Sequence, residues 1–212
     1  RSTPKPSSAA SDVYKRHIYM VEKQSTMLAL GTKTPKFNLK GIDGEMYSNA
    51  SFEDSKDLLV MFICNHCPFV VHVKDGLVEM ANILSEQDIG VIAINSNDSS
   101  QEKYAEDSFE KMIEYSDNWG FQFPYTVDTD QSVAKSFTAQ CTPDFFLFDG
   151  NSELVYRGQM DGSRPGNDIP TTGVDILNAV EAMLAGDSPL DSQFPSAGCN
   201  IKWIPGEEPD YF

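Results

Sequence analysis

An apolar run from Leu58 to Cys64 leads directly into Cys64-Asn65-His66-Cys67-Pro68, and this junction constrains the chain most. A continuous apolar run bounded by charge reads as a central strand buried on both faces. It is far shorter than the ~20 residues that span a bilayer, so no integral membrane helix is expected. Beyond it, Phe69, Val73, Leu77, Met80, Ala81 and Leu84 share one face at helical spacing. The cysteines therefore sit where a buried strand passes into a helix. Unpaired N–H groups and the positive end of the helix dipole favour a thiolate there, and the thiolate is the nucleophile. Two intervening residues place the sulfurs about one helical turn apart, close enough to bond. Pro68 is tolerated because a first-turn N–H has no helical partner. Cys64, nearer the strand end, is the expected exposed attacker, and Cys67 the deeper resolving thiol. His66 would add positive charge beside the thiolate.

Other readings of the motif are weaker. A structural zinc site needs four ligands, but no second cysteine pair exists and the other histidines are His17 and His72. Haem attachment needs His where Pro68 stands. Two inert buried cysteines remain an alternative. No metal and no cofactor are expected.

The rest of the chain alternates. Residues 37–47 read as a hairpin around Asp43-Gly44, Gly90–Asn95 as a second buried strand and 101–119 as an acidic helix. Tyr125–Val127 reads as extended and 131–138 as helical. Asp144–Phe148 and Glu153–Gln159 flank a turn and read as an antiparallel hairpin, and a last helix starting near Val174 stops at Gly186. The fold class is α/β, a mixed central sheet flanked by helices. Three regions are expected: an N-terminal extension over 1–26, a domain over 27–186, and a Pro/Gly-rich C-terminal tail over 187–212.

Cys141-Thr142-Pro143 opens the run Asp144–Phe148. A proline there belongs at a strand start, through either a cis bond or an ordinary trans one. A cysteine pair after one buried strand, and Thr-Pro before another, resembles the thioredoxin superfamily. The blocks FICNHCPFV, AINSND, CTPDFFLFD, YRGQMDGSRPGN and GCNIKW together resemble one branch of it. That branch is the peroxiredoxin-like thioredoxin family, in the alkyl hydroperoxide reductase/thiol-specific antioxidant (redoxin) group. The likeness spans roughly residues 27–209. It implies a thioredoxin-like fold, Cys64 and Cys67 as the redox pair, and a cis Pro143 facing them with the Thr142 backbone contacting substrate. Asn65, His66 and Pro68 are supporting residues, and Cys141 and Cys199 additional candidate redox thiols. Cys141 also reads as a small buried hydrophobe.

The implied activity is thiol–disulfide oxidoreduction in redox homeostasis or antioxidant defence. Its partners would be protein disulfides or dithiols and an unidentified reductant. Peroxiredoxins carry Pro seven residues and Thr or Ser three residues before the peroxidatic cysteine. Counting back from Cys64 gives Asp57 and Met61; from Cys67, Val60 and Cys64. Peroxidase turnover is therefore not expected.

Sixteen basic and thirty-two acidic residues give a net charge of −16, the wrong sign for binding nucleic acid. Four cysteines are too few for a disulfide scaffold. Residues 1–23 hold five basic and two acidic side chains, a net of +3, against −19 for the remainder. This Ser/Pro-rich opening reads equally as an ordinary N-terminal tail or as the end of an organellar transit peptide or the segment just after its cleavage, plastid before mitochondrial, with the cytoplasm as the alternative. It also reads as a docking segment, which motivates a second function: a thioredoxin-fold subunit of a larger organellar assembly with secondary redox activity.

Overall fold

A computed structural model describes residues 22–212. The transit-peptide and docking expectations concern residues almost wholly outside that range.

A seven-stranded mixed sheet is built from β2 (Asn38–Gly41), β3 (Met46–Ser48), β4 (Asp57–Phe62), β5 (Ile89–Asn95), β6 (Tyr125–Val127), β8 (Asp144–Phe148) and β9 (Leu154–Gly158). The order across it is β3-β2-β6-β5-β4-β8-β9. β4 is central and buried along its whole length. It pairs parallel to β5, with Leu59 opposite Val91, and antiparallel to β8, with Val60 opposite Phe146. Two layers of helix and loop cover the sheet, as an apolar strand without alternation requires.

Helix α1 (Pro68–Glu86) buries Val70, Val73, Leu77, Met80, Ala81 and Leu84 against one face, joined there by Ile176 and Val180 of α4 (Val174–Leu184). On the other face Phe62, Phe137 and Phe146 pack edge to face, with ring centres 5.4–5.8 Å apart. Helices expected from the sequence are present, with shifted ends. The segment expected as one helix over 101–119 is broken: a 3-10 turn covers Glu102–Asp107, and α2 covers Phe109–Trp119. Ser108 separates them with extended backbone, and its hydroxyl caps α2 by accepting from the Lys111 N–H. The break positions Asp107 beside the cysteine motif. Helix α3 is the short Ser132–Ser136.

A second, three-stranded sheet has the order β1-β10-β7, from β1 (Glu22–Gln24), β10 (Ala197–Asn200) and β7 (Cys141–Thr142). The C-terminal stretch was expected as a Pro/Gly-rich tail, with no strand assigned to it. Instead β10 lies between β1 and β7, and Ile201 and Trp203 enter the core. Its pattern Ala-Gly-Cys-Asn carries no alternation, so periodicity did not reveal it. Gly198 permits this pairing: a Cβ there would fall 2.0 Å from the Thr142 carbonyl oxygen. Among the described residues no helix is long and apolar enough to cross a membrane.

Candidate thiol–disulfide site

Cys64 lies two residues beyond β4, and Cys67 is the N-cap of α1, with Pro68 in the first turn. The helix N-terminus therefore falls at the second cysteine. The Thr142–Pro143 bond is cis. Thr142 touches both thiols: its Oγ1 lies 3.1 Å from Cys64 Sγ, and its carbonyl oxygen accepts from Cys67 Sγ at 3.2 Å. Cys64, Cys67, Thr142 and Pro143 are thus brought together. Asn65, His66 and Pro68 surround them.

The expected asymmetry in exposure is absent. Cys64 is 1% and Cys67 0% exposed, so Cys64 is not an open attacker. Burial pushes the Cys64 thiol well up, reinforced by its hydrogen bond with Cys67 and the charge of Asp107. Burial also opposes ionisation of Cys67. There, however, hydrogen bonds from the Cys199 and Cys64 thiols and from the Val70 and Cys199 N–H groups outweigh it, holding the thiol well below its usual range. Apart from its own donation to the Thr142 carbonyl, the hydrogen bonds around Cys67, the residue at the helix N-terminus, thus favour its ionisation over that of Cys64.

Cys199 Sγ donates to Cys67 Sγ at 2.7 Å, delivered by the pairing of Cys199 with Thr142 across β10 and β7. Donation to Cys67 and then burial raise the Cys199 thiol. Cys141 is fully buried; its sulfur meets the Pro143 carbonyl at 3.8 Å, and burial raises it too. None of the four cysteines is in a disulfide.

Asn65 is fixed at three points. Its N–H donates to Asp107 Oδ1 at 2.8 Å, its Nδ2 to the Glu106 carbonyl at 2.8 Å, and its Oδ1 accepts from the buried Tyr125 hydroxyl at 2.9 Å. Asp107 also accepts from Asn97 Nδ2 at 2.8 Å and from Asn95 Nδ2 at 3.4 Å. His66 stacks on Tyr104, and its Nδ1 lies 2.5 Å from Asp107 Oδ2, without hydrogen-bond alignment. The imidazole is therefore turned toward a carboxylate. Besides burial and each other, the groups acting on the two thiols are Cys199, the Val70 N–H of α1, Asp107 and Thr142.

Cys64, His66 and Asp107 each bring one donor atom within 4.8 Å of the other two. Three donors are one short of a closed zinc shell. Asp107 already serves Asn65, Asn95 and Asn97. Two arginines of this region, Arg157 and Arg164, could pair with acidic neighbours or line the cleft. Arg157 bonds the Leu28 carbonyl and Gln193, and Arg164 bonds the Asp161 and Ser163 carbonyls and Gln159. Arg164 lines a small pocket with Phe69, Pro143 and Met160.

Asp107, Asn95 and Asn97 are the site residues that sequence reasoning missed. Their only sequence signal was the matched block AINSND, which holds Asn95 and Asn97. Removing the carboxylate should have two effects. Asp107→Ala leaves the buried Asn65 N–H without its acceptor and should lower unfolding free energy by roughly 2–3 kcal/mol in urea titrations. Asp107→Asn keeps the shape and removes the charge, so the Cys64 thiol should titrate lower, read by thiolate ultraviolet absorbance. No change in either measurement would show that Asp107 neither holds the loop nor acts on the thiol.

The Redoxin family model matches residues 29–174. A hypothetical protein from Sinorhizobium meliloti is similar at 45% identity, TM-score 0.83, over 86% of this chain and 99% of that one. An uncharacterized conserved protein from Geobacillus kaustophilus is similar at 45% identity, TM-score 0.84, over 88% and 98%. The thioredoxin domain of a thiol-disulfide oxidoreductase from Bacteroides vulgatus shares the fold at 18% identity and TM-score 0.56, over 74% and 98%. No curated protein matches. A thioredoxin-like fold with the expected sheet and helices, and a family match over more than half of its length, place the chain in the Redoxin family.

Proposed function

We propose that the chain is a thiol–disulfide oxidoreductase whose redox pair is Cys64 and Cys67. One observation carries this reading: both sulfurs converge on Thr142, at a cis Thr-Pro, with hydrogen bonds that favour a thiolate at Cys67. In the reduced protein the Cys67 thiolate attacks one sulfur of a substrate disulfide. A mixed disulfide forms and the first substrate thiolate leaves. Cys64 then attacks Cys67 Sγ, the second substrate thiolate leaves, and the proton released by Cys64 passes to it. Two electrons pass to the substrate, and the protein is left with a Cys64–Cys67 disulfide for a dithiol reductant to reopen. This reverses the roles expected from the sequence, because low thiol pKa rather than proximity to the strand end selects the attacker.

His66, Pro68 and Phe69, which flank the buried Cys67 in the chain, are partly exposed, and on this reading a substrate approaches from their side. Peroxide is a poorer substrate on this reading, because the position three residues before Cys67 holds Cys64 in place of a hydroxyl. A redox-homeostasis role fits the same chemistry. The test is reduction of insulin disulfides with dithiothreitol as recycling reductant, run beside peroxide consumption. Insulin reduction above the dithiothreitol background, with little peroxide turnover, is expected. Rapid peroxide turnover without insulin reduction would refute the reading.

A further inference from the structure

Cys67 has two thiol neighbours, and the mechanism above uses only one. The other, Cys199, lies 132 residues along the chain on β10, and its sulfur is 2.7 Å from Cys67 Sγ. This contact is built in. β10 pairs with β7 so that Cys199 stands opposite Thr142, the same residue whose carbonyl meets Cys67. Gly198 leaves room for that carbonyl, and any side chain there would push the strand away. Cys141, also buried nearby, has the Pro143 carbonyl as its contact and lacks this placement.

We propose that Cys199 is a second resolving thiol for Cys67, so that the oxidised protein holds either a Cys64–Cys67 or a Cys67–Cys199 disulfide. The proposal rests on the reading of Cys64 and Cys67 as a redox pair. Two balanced routes lead to the second disulfide. From a substrate–Cys67 mixed disulfide, the Cys199 thiolate attacks Cys67 Sγ, the substrate thiolate leaves, and the proton released by Cys199 passes to it. From the Cys64–Cys67 disulfide, Cys199 attacks Cys67 Sγ, the Cys64–Cys67 bond breaks, and Cys64 leaves as a thiolate that takes up that proton. The second route is an exchange with no net electron transfer. A Cys67–Cys199 bond would tie β10, and through it β1, to the start of α1, covalently joining the C-terminal segment to the redox site.

The test uses the full chain, oxidised with glutathione disulfide, quenched in acid, alkylated and digested with trypsin. Cys67 falls in peptide 57–74, Cys141 in 136–157 and Cys199 in 158–202, so each linkage is distinct once Cys64 is replaced. In Cys64→Ser, a cross-link between 57–74 and 158–202 is expected. In the Cys64→Ser/Cys199→Ser double variant, the Cys67–glutathione adduct should persist at least about tenfold longer. A double variant with Cys199→Ala gives the same readout without a buried hydroxyl. If Cys64→Ser accumulates the glutathione adduct while Cys199 stays alkylated, the proposal is wrong. Cys199→Ser alone separates this from failure of the parent reading: it should still close Cys64–Cys67, and if it does not, the redox pair itself is refuted.

Discussion

Cys67→Ser should reduce insulin-disulfide turnover to the uncatalysed background, a loss of about a thousandfold or more, because it removes the attacking thiolate. Cys64→Ser should also lose turnover, but through a different step. It retains the thiol whose ionisation is favoured by Cys199 and by the Val70 N–H of α1, so it should still form a mixed disulfide with substrate. The two variants should differ before any substrate is added. Thiolate absorbance should appear at lower pH in Cys64→Ser than in Cys67→Ser, because burial and the Asp107 charge hold Cys64 protonated. Attack by Cys64 in the Cys67→Ser protein, with thiolate absorbance at low pH, would return the roles to those expected from the strand-to-helix junction alone.

The second large effect concerns stability. Asp144 follows the cis proline and is fully buried, and its Oδ2 has no hydrogen-bond partner. Burial pushes its carboxyl from 3.8 up to about 7, against the pull of the Ser25 hydroxyl and the Phe145 N–H. A carboxyl whose folded pKa exceeds its unfolded value contributes stability below the unfolded pKa and loses it as pH rises through the folded one. Stability should therefore fall between pH 3.8 and about 7, and the ionised form above that window should carry a penalty of up to about 4 kcal/mol. Asp144→Asn removes the charge. Urea unfolding of the reduced proteins should show the variant more stable than the wild type above pH about 8, with the gap closing near pH about 4. A gap independent of pH would show that Asp144 does not titrate in this window.

Much of the fold is written locally. The run at Leu58–Ile63 has no polar face, so it can only be a strand covered on both sides, and the apolar face of α1 repeats at helical spacing. The cysteine pair and Thr142-Pro143 are legible for the same reason: each chemical group sits at a boundary between elements. What was not legible depends on pieces distant in sequence. Asp107 serves Asn65 only because the helix expected over 101–119 breaks at Ser108. The place of Cys199 depends on an edge pairing between four residues without alternation and a strand of two residues. Cys64 is buried with Thr142 of β7 against its sulfur, a contact distant in sequence, so position at the strand end misjudged its exposure. Exposure and pKa here are tertiary properties: burial removes the expected difference in exposure, and the pKa directions run opposite to the expected order of the two thiols.

The central claim is that Cys64 and Cys67 interconvert between dithiol and disulfide, and a redox titration of the Cys199→Ser protein tests it most directly. The protein is equilibrated in dithiothreitol buffers of graded oxidation, alkylated in acid and mapped by mass spectrometry. The account expects Cys64 and Cys67 to lose alkylation together along a single two-electron curve as one intramolecular disulfide forms, with Cys141 alkylated throughout. If both thiols remain alkylated at the oxidising end of the series, the account is contradicted.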